Sequence, residues 1–431
     1  MIIYYYRMNI LRSFRDKFIT SPGKKVVVEN FFSLSILQFA NYLLPLITFP
    51  YLVRILGPEK YGLVSFAQAF IQYFVLLTDY GFNLSATREI SVYRNDKEKL
   101  SAMISSIMAI KIVLALISFA IICLLIFMIP RFRDDWLLYV LTFGIVAGNV
   151  LFPVWFFQGM ERMKYITVLN LIAKSVFTVS IFIIIKNTGH YLYVPILNSL
   201  GYICAGVLSV WILYKDFGMK FIIPSFDDVR HQLEEGWHVF ISTIAISAYS
   251  NTRVFVVGIF TNNTITGFYT IAEKLINIIQ SSFLIPLVQA VYPRLSSIYA
   301  IEPNRSYGIM KKLQHYTTLV YFVFLPAIFI FAPQLVGLIA RTAYPESVLS
   351  LQLLLIATFF TSANAFRVQF LLVSGQKEIF ANIHLIAGLT GIVLTILGVY
   401  YYSYAGPALA LIFIEIMVLA LTVNSLHKKT I

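Results

Sequence analysis

The stretch "TGFYTIAEKLINIIQSSFLIPL", residues 266–287, has the length of a bilayer crossing, yet it carries Glu273 and Lys274 at its eighth and ninth positions. A hydrocarbon core about 30 Å thick takes about 20 apolar residues at 1.5 Å each. The rest of the chain decides whether this stretch meets lipid. It has 431 residues, 59% hydrophobic and 12% charged, with a mean hydropathy of +0.80. A soluble globular chain carries roughly a quarter charged residues. The composition is that of an integral membrane protein.

Twelve spans fit the same ruler, near 31–53, 63–82, 102–129, 136–157, 165–186, 191–213, 237–260, 266–291, 314–340, 348–373, 379–401 and 405–426. The N-terminus carries scattered Arg and Lys but no early apolar core of a cleavable signal peptide. Cys123 and Cys204 both sit in apolar runs, so no disulfide framework is implied. The net charge of +13 is spread over loops rather than over a soluble face, which argues against a nucleic-acid partner. With the N-terminus cytoplasmic, 22 of the 33 basic residues fall on the inside and six on the outside, at Arg54, Lys60, Arg131, Arg133, Lys186 and Arg341. This bias predicts that both termini are cytoplasmic.

The chain also repeats. "YGLVSFAQAF" (61–70) and "TGFYTIAEKL" (266–275) align Gly62 with Gly267 and Ala67 with Ala272 at an offset of 205. "TREIS" (87–91) and "PRLSS" (293–297) set Arg88 against Arg294 at 206. "FFQGMERMKY" (156–165) and "LLVSGQKEIF" (371–380) then set Gly159 against Gly375, each ending a fourth span. Six spans per half give both halves one orientation, the arrangement of parallel repeats about an axis along the membrane normal. The predicted fold is all-α: about twelve transmembrane helices in two six-helix lobes around a central cavity. The lobes are residues 1–213 and 237–431, and the cytoplasmic linker is 214–236.

The segment "FANYLLPLITFPYLVRILGPEKYGLVSFAQAFIQYFVLLTDYGFNLSATREIS" (39–91) resembles the N-terminal signature of O-antigen flippases. These belong to the polysaccharide-biosynthesis branch of the multidrug/oligosaccharidyl-lipid/polysaccharide exporter superfamily. "GFYTIAEKL" (267–275) and "VYPRLSSI" (291–298) look like its second-half counterpart. The resemblance implies a bundle of six plus six helices in the bacterial inner membrane that moves undecaprenyl-pyrophosphate-linked oligosaccharide repeat units outward. It also implies polymerase and chain-length proteins of the same pathway as partners. It includes Asp79 and Arg88, a pair that could close the inner mouth as a gate contact.

The residues fit such a cargo independently. Lys111, Lys174, Arg253, Glu273, Lys274, Arg367 and Glu415 lie within spans, five cations against two anions. Each charge costs about 2.5–3.5 kcal/mol at a helix centre, so all seven against lipid would cost roughly 20 kcal/mol. Most must therefore face the bundle interior, and surplus positive charge suits a pyrophosphate. Lys111 and Lys174 each lie nine residues inside their span, about 13 Å deep, as a mid-membrane ring. Arg367 falls six residues from the inner end of its span.

Arg253 and Glu273 lie ten residues either side of the turn at Asn263, so they form an expected ion pair. Lys274, turned about 100° from Glu273, is left for an anion. Glu415 reads either as a counter-ion or as a protonation site. Gln38 and Asn41, three apart, and Gln68 and Gln72, four apart, each share a helix face toward the cavity. Pro45 and Pro50 interrupt the first span.

Other classes fit less well. An exporter of small molecules or of another polysaccharide precursor would be favoured by acid-rich spans, which are absent, and a polymerase or ligase calls for a large outside loop. Every expected outside loop here is short. The six His residues show no metal-ligand spacing and no phosphate-binding Gly-rich loop precedes a helix, so neither metal nor cofactor is expected. A reporter fused after Asn263 should read extracytoplasmic and one after Glu234 cytoplasmic. The opposite pattern would invert every depth stated here.

Overall fold

The computed structural model describes residues 22–250 and 252–427. Arg7, Arg12, Arg15, Lys17, Lys428, Lys429 and both chain termini, which enter the orientation argument, lie outside the described residues. Within them the chain is helical nearly throughout and no strand occurs. In lipid a helix satisfies every backbone N–H and C=O within its own segment, which is why spans of this composition take this form.

The first helix, α1 (Pro22–Asp79), is one hydrogen-bonded run of 58 residues, interrupted only at Gly57 (φ 69, ψ 169). Straight, it would measure about 87 Å, nearly three hydrocarbon cores. It reverses instead. Asn30 donates to the Glu161 carbonyl at 3.0 Å, and Arg94, beyond the far end of α1, holds the Glu161 carboxylate at 2.8 Å. Residues 30 and 94 therefore share one end of the bundle, here called basal, and Gly57 lies at the other, apical, end. An L residue rarely adopts φ +69, so Gly at 57 is a backbone requirement.

After the left-handed turn at Tyr80 and Gly81 (φ 44 and 79) comes α2 (Phe82–Val92), then α3 (Lys97–Met128). Asp96 caps α3 by accepting from the Lys99 amide at 3.0 Å. The fourth expected span is broken into α5 (Trp136–Thr142), α6 (Gly144–Leu151) and α7 (Val154–Gly159), preceded by the short α4 (Pro130–Asp134). Helices α8 (Met163–Ile184) and α9 (Tyr193–Lys215) complete the first lobe.

The second lobe holds α10 (Phe226–Ser250), α11 (Thr252–Phe260), α12 (Asn263–Ser282), α13 (Leu284–Tyr299), α14 (Pro303–Ile330), α15 (Ala332–Ala340), α16 (Pro345–Val373), α17 (Lys377–Tyr402) and α18 (Gly406–His427). Nine runs among the described residues are long and apolar enough to span. Two of them, Ser33–Val92 and Lys377–Leu426, each contain a reversal and so hold two of the expected spans. The remaining span is carried by α10 and α11. Helix α10 starts inside the segment expected to be linker, because Asp227 and Asp228 in its first turn suit a helix N-terminus.

The lobes meet where α12 packs along the second half of α1. A Cβ on Gly62 would stand 2.0 Å from the Asn263 carbonyl oxygen, and one on Gly267 would stand 1.9 Å from that of Pro58. Shifting 58 and 62 by the repeat offset of 205 gives 263 and 267. Each half makes the same contact with the other, which is the signature of a two-fold axis between them. The aromatic seam beside it also crosses between lobes: Phe255 of α11 stacks on Phe66 and Phe70 of α1 with centroids 5.8 Å from each. Gly267→Ala should cost about 1–3 kcal/mol by overpacking, read as a lower unfolding temperature of the detergent-purified protein. An unchanged temperature would show that the crossing does not bear on stability.

Candidate functional site

Immediately below the glycine crossing, a cavity of about 590 Å³ opens on the axis between the lobes. From α1 it takes Ser65, Gln68, Ala69 and Gln72, and from α12 Thr270, Glu273, Lys274 and Asn277. These are four repeat-related pairs, each 205 apart. Gln280, Thr361, Arg253 and Glu415 complete its polar lining. The expected inward face of Gln68 and Gln72 is therefore present.

Arg253 Nε lies 3.0 Å from Glu273 Oε1, with side chains only 15% and 12% exposed. The equal-depth argument across the Asn263 turn identified this contact correctly. Lys274, one residue on, points away from Glu273 and lines the cavity. It also lines a second cavity of about 290 Å³ inside the first lobe, with Lys174, Asn170, Asn198, Thr48 and Tyr202 around it. Lys174 donates to Asn41 Oδ1 at 2.5 Å, so Asn41 orients the ammonium from α1. Pro45 lines the same space, but neither it nor Pro50 interrupts the span as expected: both lie inside α1, whose one non-helical residue is Gly57.

Glu415 is buried, at 7% exposure, and lines both the central cavity and a further one of about 380 Å³ in the second lobe. His384 borders that further cavity and its Nδ1 faces the Phe380 carbonyl at 2.8 Å on its own helix.

Four expected roles do not hold. Lys111 does not join Lys174 in a ring: it is 1% exposed, lines neither the central nor the first-lobe cavity, and binds Asp79 at 3.0 Å with Asn149 at 3.4 Å. A carboxylate that close satisfies the ammonium where it stands. For the same reason Asp79 makes no gate contact with Arg88. Helix α2 buries Phe82, Ala86 and Ile90 on one face, which leaves Arg88 exposed on the opposite one. Arg367 bonds the Ala363 carbonyl one turn back on its own helix and lines neither cavity, nor does the exposed Gln38.

What joins the lobes at the basal end is a contact that sequence reasoning missed. Glu89 on α2 accepts from Gln232 Nε2 of α10 at 2.9 Å and faces His231 Nε2 at 3.3 Å. Tyr80 stacks on Phe240 of α10 with centroids 4.7 Å apart, and Gly236 lets the chain approach Tyr80 closely. Glu89 stands in the "TREIS" motif beside the residue that was singled out, so the position was visible while the partner was not.

Fold and site together define a multi-pass, two-lobed helical membrane protein with a polar cavity on its internal axis. The family model described as polysaccharide biosynthesis protein matches residues 27–299. A relative from Escherichia coli (strain K12), named "Putative O-antigen transporter", is 30% identical over 93% of this chain and 97% of its own. The chain belongs to the polysaccharide biosynthesis protein family. Its fold is similar to that of the lipid II flippase MurJ in an inward closed conformation (TM-score 0.69, 14% identity, 93% of this chain and 87% of that one). It is also similar to an inward-facing multidrug resistance MATE family transporter of the MOP superfamily (TM-score 0.70, 14% identity, 90% and 96%).

Glu273→Ala removes the carboxylate from a nearly buried Arg253, which costs on the order of 3–5 kcal/mol for a fully buried pair. The 253/273 double-mutant cycle should return a coupling above about 0.5 kcal/mol in the unfolding free energy. Coupling near zero would mean that the two side chains are held independently.

Proposed function

We propose that this protein is a flippase that carries undecaprenyl-pyrophosphate-linked O-antigen repeat units from the inner to the outer leaflet of the bacterial inner membrane. The carrying observation is the cavity on the axis between the lobes, lined by repeat-related pairs from α1 and α12, whose Lys274 also lines the neighbouring first-lobe cavity that holds Lys174. The name of the Escherichia coli relative supports the O-antigen cargo, and a flippase of the same fold supports a lipid-linked one.

Two lobes joined at opposite ends by separate contacts suit alternating access. The glycine crossing and the Phe255 stack hold the apical end, while Glu89 with Gln232 and Tyr80 with Phe240 hold the basal end. Breaking one set while keeping the other exposes the cavity to one side at a time. The basal end is the cytoplasmic one on the distribution of basic residues. The lobe boundaries at 213 and 237 and both cytoplasmic termini belong to the same reading. The translocated unit then passes to the polymerase and chain-length proteins of the pathway.

Cells lacking the protein should accumulate lipid-linked repeat units on the cytoplasmic leaflet while their synthesis continues. Leaflet-resolved labelling of the lipid-linked sugar reads this directly. Normal translocation with failed polymer growth or attachment would overturn the transport reading in favour of an enzymatic one.

A further inference from the structure

The two cavities that meet at Lys274 differ in kind. The first-lobe cavity holds two cations, Lys174 and Lys274, and no carboxylate in its lining. The larger one holds Arg253 and Lys274 against Glu273 and Glu415, so its fixed charges balance, and Arg253 is already bound to Glu273 at 3.0 Å. Four carboxamides line the larger cavity: Gln68, Gln72, Asn277 and Gln280. An amide both donates and accepts hydrogen bonds, as a sugar hydroxyl does, whereas an ammonium only donates.

A lipid-linked sugar unit has two chemically distinct polar parts. The diphosphate offers acceptors only and a double negative charge, and the glycan offers hydroxyls in both roles. From this match, and resting on the flippase reading above, we infer that the two cavities divide the cargo. The diphosphate lies between Lys174 and Lys274 at the junction with the first lobe, and the glycan occupies the amide-lined cavity on the axis.

Three details fit this division. Asn41 takes one of the three Lys174 donors and leaves two N–H groups for phosphate oxygens. Asn198 lies in the same lining to donate further, and Asn170, whose Nδ2 already gives one hydrogen to the Ile166 carbonyl at 2.9 Å, has a second to offer. Lys274 belongs to both cavities, which places the charge at the joint between head and glycan. Lys111, Arg253 and Arg367 take no part, because each is already engaged with a protein oxygen.

The test uses the full-length protein purified in detergent and titrated with undecaprenyl diphosphate and, separately, undecaprenyl monophosphate, read by native mass spectrometry. The unmodified protein should prefer the diphosphate. Lys174→Gln and Lys274→Gln should each weaken diphosphate binding by about tenfold or more, as expected for loss of one charge-assisted contact. Each should also narrow the margin over the monophosphate.

Lys174→Arg should retain binding, which separates loss of charge from loss of fold. The double variant Gln68→Leu/Asn277→Leu should bind the bare diphosphate lipid as the unmodified protein does, yet fail to restore O-antigen export in a deletion strain. If the amide variant loses diphosphate affinity as much as the lysine variants do, or alone loses it, the division is wrong while the flippase reading stands. If the unmodified protein shows no preference for the diphosphate lipid, the flippase reading itself falls.

Discussion

The crossing of α1 and α12 is the contact on which the rest of the molecule depends, because at Gly62 and Gly267 there is no room for a Cβ. Apolar side chains gain little by meeting one another in a bilayer, since lipid tails are equally apolar. Helices there adhere where small residues let backbones approach closely. Reciprocity adds a second consequence: Gly62 meets Asn263 as Gly267 meets Pro58, so the internal axis passes between these helices. Going basally from that point, successive turns of both helices must face each other across the axis. Residues 65, 68, 69 and 72 then confront 270, 273, 274 and 277, and the separation that opens between them is the cavity.

The charges inside the membrane are accommodated in different ways. Lys111 and Asp79 are closed off as a pair behind the cavity wall, where the ammonium is almost inaccessible. Arg253 and Glu273 form a pair that still borders open space. Lys274 has no room to pair with Glu273, its neighbour in sequence, because adjacent residues on a helix point in different directions. It borders open cavity space instead, as Lys174 does across the junction. A charge paired inside the protein stabilises the fold only when both partners stay, whereas a charge facing water can change partners at little cost. The two groups suit different tasks for that reason.

Much of this was legible in the sequence, and the physical reasons differ by element. The repeat survived as Gly62 and Gly267 because sterics at the crossing admit nothing larger. The pair of Arg253 and Glu273 was legible because a short turn at 261–263 fixes the relative depth of two helices. The same arithmetic was not applied to Asp79 and Lys111, since the nearby Arg88 offered a partner closer in sequence. The left-handed turn at Tyr80 and Gly81 and the rotation of α2 then sent that partner to the outside. The first-lobe cavity was beyond reach, because Lys174, Asn198 and Thr48 come from three helices whose rotations no local pattern specifies. The contact of Glu89 with α10 was missed because the linker hides a helix start, which moved the end of the expected second lobe across the basal face.

Duplication alone would produce a cavity with two equivalent sides. The paired positions show where this chain departs from equivalence: Ser65 opposite Thr270 and Gln72 opposite Asn277 keep the same chemistry, whereas Gln68 is matched by Glu273 and Ala69 by Lys274. Both departures fall on α12 and are adjacent, so the second repeat carries an acid and a base where the first carries an amide and a methyl. One of the new charges is tied down by Arg253 from the same lobe. The other reaches over the axis to share a cavity with Lys174 of the first lobe. An exchange at two neighbouring positions thus gives the second repeat's wall an acid tied to Arg253 and a base bordering the first-lobe cavity, where the first repeat has only an amide and a methyl. That polarity can distinguish one end of a bound molecule from the other, which a symmetric site between identical repeats could not do.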